Sequence, residues 1–370
     1  MKKLIVTGGS DGGPTTYTGI LKKYLPEKGI DVEVLPFDKA PGPKIIRNIA
    51  YIFQIAKAAS GDSIIYTRDP VSTGFPALLA SKIKRKPLLL KVVGDYAWEQ
   101  GRQRFGVEEG LDDFLKKGDY SFGVKLFRFL QRAVARASVR IIVPSEYLKK
   151  VVIAWGIDER KIEVIPNSFN KEHLPKESKE DLRKELKWGD EKVLISVGRM
   201  VPWKGFEKLI EAYERIEKET GNARLLIIGD GPDLVNIKEK ALTSEAENIE
   251  IIEKLPHEDL MKYIKTSDVF VLNTGYEGLS HLLLEASALG TPITTTTKGG
   301  NKEIFENEKT ATFFEYDNVN DIEEKVLTLL TDNEKQERLS KAALRLSEQY
   351  KESNMVNATI ELLSGLWGKK

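Results

Sequence analysis

Short apolar runs alternate along the chain with longer amphipathic stretches. Apolar runs separated by helical stretches predict parallel strands joined by helical crossovers. The runs fall into two series, separated by a stretch that has none. The first series is 4–7, 32–37, 63–67, 87–93, 140–145 and 162–167, and the second is 192–198, 224–230, 249–255, 269–273, 292–297 and 311–316. Two series predict two sheets, and therefore two Rossmann-like, doubly wound α/β domains.

The segment 168–190 separates the two series. It is polar and charge-dense and contains Pro175, which indicates an interdomain linker that leads into a surface helix. We therefore expect one domain over 1–168 and a second over 169–349, and the leucine spacing in 321–366 predicts helices there. Two such domains facing a central cleft bring two sets of ligand-binding loops together, which suits a two-substrate enzyme.

Composition narrows the possible chemistry. The 370-residue chain has 57 Lys and Arg against 56 Asp and Glu, a net charge of +1, so nothing in it requires a nucleic-acid partner. It has no cysteine, which excludes thiol nucleophiles, disulfides and cysteine-ligated metals. Its three histidines are too scattered for a histidine-rich metal site, although a carboxylate site stays open. The N-terminal apolar run is too short for a secretion signal and no stretch approaches the roughly 20 apolar residues of a membrane span, so we expect a cytoplasmic protein.

A glycine-rich stretch at 8–13 joins the first predicted strand to a helix. Such a backbone can approach a phosphate or a sugar closely. Asp11 stands where G-x-G-x-x-G needs a glycine, which weakens a nicotinamide-dependent interpretation. A flexible surface turn is the alternative.

Two cations follow the strand that ends at Gly198. Arg199 and Lys204 bracket a Pro202–Trp203 turn before the next helix. Each would contribute about 4 kcal/mol of gross Coulomb attraction to a diphosphate at about 4 Å and an effective dielectric near 20. Solvated surface cations are the ordinary alternative. The position at a strand's carboxyl end favours a diphosphate clamp.

Two glutamates follow the strand that ends at 273. Glu277 is expected at a helix start, where it could accept hydrogen bonds from sugar hydroxyls or merely complement the helix dipole. The backbone amides of Gly278, Leu279 and Ser280 would point at an anion. Glu285 lies between Leu284 and Ala286 in an otherwise apolar helix, and a buried carboxylate needs partners, such as ribose hydroxyls.

Two further loops complete the candidate site. The loop 294–305 contains Gly299 and Gly300, whose amides could reach the same anion. In the first domain Asp95 leaves the fourth strand, where it would either face the cleft or cap the following helix, and the two interpretations weigh about equally.

Taken together, these stretches resemble glycosyltransferase family 4, the retaining nucleotide-sugar transferases of GT-B fold. The likeness spans nearly the whole chain in the family's order, and E-x7-E is its most specific motif. The matching stretches are the glycine loop at 8–13, IPNSFN at 165–170, VGRMVPWKG at 197–205, IIGDGP at 227–232 and EGLSHLLLEASALGTP at 277–292.

The resemblance implies an enzyme that transfers a sugar from a nucleoside diphosphate-sugar to a hydroxyl of a glycan, a lipid-linked acceptor or a small molecule. We expect the transferred sugar to be a hexose. The second domain would hold the donor and the first domain the acceptor, and the helix at 350–370 would pack back on the first. In the donor site, Arg199 and Lys204 would hold the diphosphate, with backbone amides from Gly278, Leu279 and Ser280. Glu277 would bind the sugar, Glu285 would bind the ribose, and backbone near Leu255 would contact the base. Gly12 and Gly13 would close over the donor.

The mechanism implied by the resemblance has no covalent nucleophile. The leaving diphosphate is stabilised by positioned charge and helps to deprotonate the acceptor on the same face. The chain contains no Asp-x-Asp, so we expect no metal and no other cofactor. Many relatives present a histidine from the first domain, but this chain has none before His173, and Asp95 could take part of that role.

The stretch 116–140 is basic and aromatic. One helix face could contain Phe122, Leu126, Phe129, Leu130 and Ala133. This face could rest on an anionic membrane and admit lipid-linked acceptors, making the protein peripheral at the inner membrane face. We favour the ordinary interpretation, a helix that covers the first sheet.

Three other functions share features with this sequence. A GT-B sugar-nucleotide epimerase would share the donor site, but His173, His257 and His281 are poor candidates for its acid–base groups. A sugar phosphorylase would be longer and would anchor pyridoxal phosphate on a lysine. A nucleotide-sugar-binding protein without turnover would use the same residues, and sequence alone does not separate it from an enzyme.

Overall fold

The computed structural model describes residues 2–9, 13–41 and 43–368. The elements up to residue 164 are β1 (Lys2–Gly8), α1 (Gly13–Tyr24), β2 (Ile30–Pro36), α2 (Lys44–Ala58), β3 (Asp62–Thr67), α3 (Gly74–Lys84), β4 (Leu88–Lys91), α4 (Tyr96–Arg104), α5 (Leu111–Lys116), α6 (Phe122–Ala137), β5 (Arg140–Val143), α7 (Glu146–Ala154) and β6 (Ile162–Val164). Each run predicted as a strand in this part of the chain overlaps one of these strands.

The chain then continues with a second series. Its elements are α8 (Lys179–Glu185), β7 (Lys192–Val197), α9 (Phe206–Thr220), β8 (Ala223–Ile228), α10 (Leu234–Leu242), β9 (Ile249–Ile252), α11 (His257–Thr266), β10 (Val269–Leu272), α12 (His281–Leu289), β11 (Ile293–Thr296), α13 (Asn301–Ile304), β12 (Thr312–Phe314), α14 (Val319–Thr331), α15 (Asn333–Ser347) and α16 (Glu352–Trp367). The six runs of the second series also overlap one strand each.

The strands form two six-stranded sheets whose pairs are all parallel. The first sheet has the order β2-β1-β3-β4-β5-β6, and the second has β12-β11-β10-β7-β8-β9. The order reverses between β1 and β3 in the first sheet and between β7 and β10 in the second. In open parallel sheets, ligands bind outside the carboxyl ends of the strands at such a reversal. The topology therefore selects two loop clusters, one in each sheet, as candidate binding regions.

The chain divides into two compact units. Unit 1 comprises Met1–Asn167 and Glu352–Lys370, and unit 2 comprises Ser168–Lys351. In unit 1, α16 contributes Met355, Val356, Leu363 and Trp367 to the apolar cluster that also contains residues of β1, α1 and β2. The Trp367 indole also donates to the Asp62 carbonyl over 3.2 Å. The last helix is thus part of the core of the first unit.

Unit 2 buries both faces of its sheet. Helices α9 and α14 supply one apolar cluster, and α11 and α12 supply part of the other. β7 and β10 are almost fully buried, which explains why their sequences read as continuous apolar runs. Their carboxyl ends emerge side by side because Val269 pairs with Leu194 and Phe270 with Ile195.

Within the part of the chain that the structure describes, no helix combines the length and the apolarity that crossing a membrane would take.

Candidate functional site

The reversal between β7 and β10 places two loops side by side in unit 2. The loop after β7 leads through a 3-10 turn, Pro202–Lys204, into α9. The loop after β10 contains Glu277 and leads into α12. A cation and a carboxylate that are far apart in sequence are therefore carried by adjacent strands.

Lys204 and Glu277 form the centre of this site. The Lys204 ammonium donates to the Glu277 carboxylate, and the two side chains are only 12% and 13% exposed. Trp203 is buried and anchors the 3-10 turn that carries Lys204. The lysine stem runs past Gly198, where an added Cβ would lie 3.7 Å from the Lys204 Cε. The two side chains thus form a mostly buried ion pair at the edge of the sheet where the strands end.

The two loops are hydrogen-bonded to each other. Gly275 donates its amide to the Trp203 carbonyl over 2.8 Å, and Thr274 Oγ1 donates to the Tyr276 carbonyl over 2.8 Å. Because Trp203 is adjacent to Lys204 and Tyr276 is adjacent to Glu277, these bonds fix the backbone on both sides of the ion pair. The position of the pair therefore depends on backbone geometry more than on side-chain freedom.

The glycine pair after β11 fixes Glu277 from a third direction. Gly300 donates its amide to the Glu277 carbonyl over 2.9 Å. Gly299 has φ +64°, and a Cβ there would lie 2.0 Å from the same carbonyl oxygen. Only glycine fits this close approach. The loop predicted to offer amides to an anion thus holds the backbone of the candidate sugar-binding glutamate.

The IIGDGP loop after β8 supports the loop after β7. The Met200 amide donates to the Asp230 carbonyl over 2.9 Å, and a Cβ on Gly231 would lie 2.2 Å from the Met200 carbonyl. This close contact fixes the backbone at Arg199, whose side chain is exposed. Arg199 and Lys204 therefore leave the same loop in different environments, one in solvent and one mostly buried.

The helix after Glu277 begins later than the sequence predicts. α12 starts at His281, with Ser280 as its N-cap, so Glu277 precedes the helix by a short turn and is not in its first turn. The turn includes Gly278, Leu279 and Ser280, all buried. Leu255, the predicted neighbour of the base, is half-buried after β9 and belongs to an apolar cluster.

Glu285 is buried and has a histidine partner. It faces inward from α12 at 5% exposure, and its Oε1 lies 3.1 Å from Nε2 of His257, the first residue of α11. Burial raises the pKa of Glu285 to about 8. Burial and the neighbouring His173 lower the pKa of His257. Sequence analysis discounted all three histidines, and the one signal for this contact was the requirement of a buried carboxylate for a partner.

The site residues predicted in unit 1 are Gly12, Gly13 and Asp95. Gly12 lies outside the described residues, and Gly13 begins α1. Asp95 is fully buried at the start of α4. Its carboxylate accepts from the Trp98 amide at 2.9 Å, from the Trp155 indole at 2.8 Å and from Gln131 Nε2 at 3.2 Å, all within unit 1. The structure thus gives Asp95 the capping role, one of the two that the sequence allows.

Two sequence-family models match almost the whole chain. The model described as Glycosyltransferase Family 4 matches residues 11–173, and the model described as Glycosyl transferases group 1 matches residues 178–345. An uncharacterized glycosyltransferase of Methanocaldococcus jannaschii is 27% identical over 270 residues, which are 70% of this chain and 62% of that protein. The sulfoquinovosyl transferase of Arabidopsis thaliana is 26% identical over 355 residues, 91% of this chain and 63% of that protein. The matches thus span less than two thirds of these curated relatives.

A comparison with solved structures defines the fold. HepE of Anabaena, solved in complex with UDP-glucose, matches with a TM-score of 0.79 at 17% identity over 98% of this chain and 99% of the other. The fold is accordingly GT-B, with two Rossmann-like domains, as the sequence predicts. The two family matches, in the expected order along the chain, confirm the predicted resemblance to glycosyltransferase family 4.

The buried contacts of Asp95 predict a stability effect. Replacing Asp95 with Ala should lower the free energy of unfolding by about 3 kcal/mol, because α4 loses its cap and two buried donors lose their acceptor. Ser145→Ala removes the cap of α7 in the same unit and should cost about 1 kcal/mol. Equilibrium unfolding in urea measures both values. Equal losses in the two variants would contradict a carboxylate that satisfies several buried groups.

The raised pKa of Glu285 predicts a pH-dependent stability. Between its usual value of 4.5 and about 8, the folded protein keeps a proton that the unfolded chain releases, so this contribution to stability is lost as pH rises through about 8. Glu285→Gln carries no titrating proton. The variant should therefore gain stability relative to wild type between about pH 6.5 and about pH 8.5, a window above the usual histidine pKa.

Thermal unfolding across this window tests the prediction. The exposed Glu258→Gln, on the first turn of α11, is the matched control and should follow wild type at each pH. A Glu285→Gln difference that stays constant with pH would show that the carboxyl is ionised throughout.

Proposed function

We propose that the protein is a retaining, metal-independent glycosyltransferase that moves a sugar from a nucleoside diphosphate-sugar to a hydroxyl acceptor. The observation that carries this proposal is the Lys204–Glu277 pair at the reversal between β7 and β10, where a parallel sheet binds its ligand. The pair supplies one group for the leaving diphosphate and one for the sugar. The two glycosyltransferase family models that match the chain support the same activity.

Positive charge around the diphosphate is the catalytic principle of this proposal. Lys204 turns from Glu277 to a phosphate oxygen when the donor binds, and the exposed Arg199 reaches the diphosphate from the same loop. Gly278, Leu279 and Ser280 add backbone amides at the N-terminus of α12. Cations and amides that are already in position stabilise the charge that develops on the leaving group, so no divalent metal is required.

The carboxylates recognise the rest of the donor. Glu277, released from Lys204, accepts hydrogen bonds from hydroxyls of the sugar. Glu285 accepts from the ribose, and backbone near Leu255 contacts the base. The complex of HepE with UDP-glucose supports a nucleoside diphosphate-sugar as the ligand class. Because a buried acceptor strongly disfavours a ligand that lacks the matching hydroxyl, these groups select among donors.

The reaction replaces one glycosidic oxygen by another on the same face of the sugar. The bond between the anomeric carbon and the diphosphate oxygen breaks, and a bond from the acceptor oxygen forms. The acceptor proton passes to the departing diphosphate, which serves as the base, so configuration is retained without a covalent enzyme intermediate. Polysaccharide or glycolipid assembly fits such an activity and the names of the relatives.

Release of nucleoside diphosphate from UDP-, GDP- and ADP-sugars in EDTA tests the donor site. Wild type should hydrolyse one donor slowly, and Lys204→Ala should reduce the rate by about a hundredfold or more because the leaving group loses a positioned cation. Glu277→Gln should reduce it as well, and Arg199→Ala should weaken donor binding. Lys208→Ala, which removes a partly exposed lysine paired with Glu211 on α9, is the control and should be active.

The outcomes separate the alternative functions. Conversion of the sugar within the donor, without release of nucleoside diphosphate, would indicate an epimerase. Saturable donor binding with no release, even with a mixture of glycan and lipid acceptors, would indicate a binding protein without turnover. A rate that disappears in EDTA and returns with Mg²⁺ would overturn metal independence alone.

We further propose that unit 1 contacts an anionic membrane through α6 and its neighbours. Phe122, Leu126 and Phe129 share one face of α6 and are 82%, 40% and 65% exposed. The buried residues of α6 include Val124, Val134 and Ala135 instead. The apolar face named in the sequence analysis is thus turned to solvent at these three positions, whereas the ordinary interpretation has it covering the sheet.

The neighbouring helices extend this surface. α2 packs on α3, and α3 packs on α6. Ile46, Ile49 and Phe53 of α2 are 57%, 52% and 67% exposed. The sequences of α2, α3 and α6 contain three, two and four Lys or Arg and no Asp or Glu, although the whole chain is nearly neutral. Exposed aromatic residues among basic ones suit an anionic bilayer surface.

Sedimentation with vesicles tests the membrane contact. Wild type should bind vesicles that contain anionic lipid and lose binding in high salt, because each basic residue near the surface contributes about 1 kcal/mol. Phe122→Ser with Phe129→Ser should reduce binding about tenfold or more. Val235→Ser with Leu242→Ser, at two exposed apolar positions of α10 in unit 2, is the control. Equal binding by both double variants would contradict the assignment of this surface.

A further inference from the structure

A second set of titratable groups lies in unit 2 beyond the Lys204–Glu277 pair. It consists of Glu285 on α12, His257 at the start of α11, and His173 in the 3-10 turn Lys171–His173. Nε2 of His257 lies 3.1 Å from Oε1 of Glu285, and the ring centroids of His173 and His257 are 5.5 Å apart. The Glu285 side chain is 7% exposed, whereas that of His257 is 36% exposed. His257 thus separates the buried carboxyl group from solvent on this side.

Burial determines the protonation of the pair. It disfavours a lone carboxylate and a lone imidazolium alike, so the pKa of Glu285 rises and the pKa of His257 falls. The contact then holds one proton between oxygen and nitrogen, whichever atom carries it, and the pair as a whole is neutral. The carboxyl group therefore has one oxygen committed to His257 and one that is available to a ligand.

Two neighbouring titratable groups act on the pKa of His257. Glu258 of α11 raises the pKa of His257, and His173 lowers it. On the neighbouring α8, Lys179 and Arg183 bind Asp268. On α15, which packs on α12, Lys335 pairs with Glu308 and Lys341 pairs with Glu337.

We propose that His257 is a positioning residue that prepares Glu285 to bind the ribose of the donor. His257 holds Oε1 and receives its proton when ribose hydroxyls arrive, so that an ionised carboxylate accepts their hydrogen bonds. The proton only moves from oxygen to nitrogen, and the imidazolium remains paired with the carboxylate it has freed. The inference rests on the proposed function in one respect, the assignment of the ribose to Glu285.

The pair gives His257 a signature that simple packing would not. Without the imidazole, Glu285 has no acceptor for its proton and remains a neutral acid until the pH exceeds its raised pKa. A His257→Leu variant should therefore bind a ribonucleotide weakly near neutral pH and recover affinity as the pH rises. Wild type should show little change up to about pH 8, because Glu285 keeps its proton there and His257 can receive it when the ribose binds.

Calorimetric binding of UDP, GDP and ADP, each beside its 2′,3′-dideoxy counterpart, tests the proposal. For the nucleotide that wild type prefers, His257→Leu should lose about tenfold to a hundredfold in affinity at about pH 7, the loss expected for a hydrogen bond to a charged group. Most of the loss should disappear at about pH 9. The dideoxy nucleotide should bind wild type and variant equally, because it has no ribose hydroxyl that could donate a hydrogen bond to Glu285.

Three further variants keep the test independent of folding. His257→Gln retains a donor to the carboxyl group but cannot take its proton, so it should preserve the thermal midpoint and still lose affinity. In the Glu285→Gln background, adding His257→Leu should cause no further loss of nucleotide affinity. Asp259→Asn, at an exposed acid in the same first turn of α11, is the matched control and should bind like wild type.

The outcomes also separate this inference from the proposed function. If wild type binds none of the nucleotides, the nucleotide-sugar site itself is wrong. If wild type binds a ribonucleotide and His257→Leu binds it equally, or loses ribo and dideoxy forms alike at every pH, the role of His257 is wrong and the donor site stands.

Discussion

Parallel pairing is the constraint on which the rest of the structure depends. A parallel strand can be followed by its neighbour only through a crossover, so every strand of a sheet ends at the same edge and every loop at that edge meets the others. The reversal between β7 and β10 then leaves two adjacent loops with no crossover packed between them. Lys204 and Glu277, 73 residues apart in sequence, are brought together by this topology.

Sequence predicts the fold well because parallel strands are buried on both faces and read as continuous apolar runs. It also identifies Lys204 and Glu277, since both follow such runs. It does not identify partners that depend on helix packing, such as His257 beside Glu285 or the Trp155 indole, 60 residues from Asp95. It also does not identify which face of α6 is exposed, because both faces of that helix contain apolar residues and periodicity does not distinguish them.

Glu285 illustrates the tension between stability and binding. An apolar residue at this position of α12 would be the better choice for the core, since the carboxyl group loses its hydration there. The protein retains the acid and places one histidine against it, which limits the charge but leaves the pair sensitive to pH. A local violation of the core pattern of this kind is typical of a site built for a ligand.

The separation of α16 from the rest of unit 1 has a consequence for synthesis of the chain. Unit 2 occupies Ser168–Lys351, so it is inserted between the bulk of unit 1 and the helix that completes it. On the ribosome the first unit emerges early but waits for the whole second unit before Met355, Leu363 and Trp367 can cover its apolar cluster. During that interval the nascent unit 1 exposes core surface, so the speed of translation through 168–351 and the supply of chaperones bear on its yield.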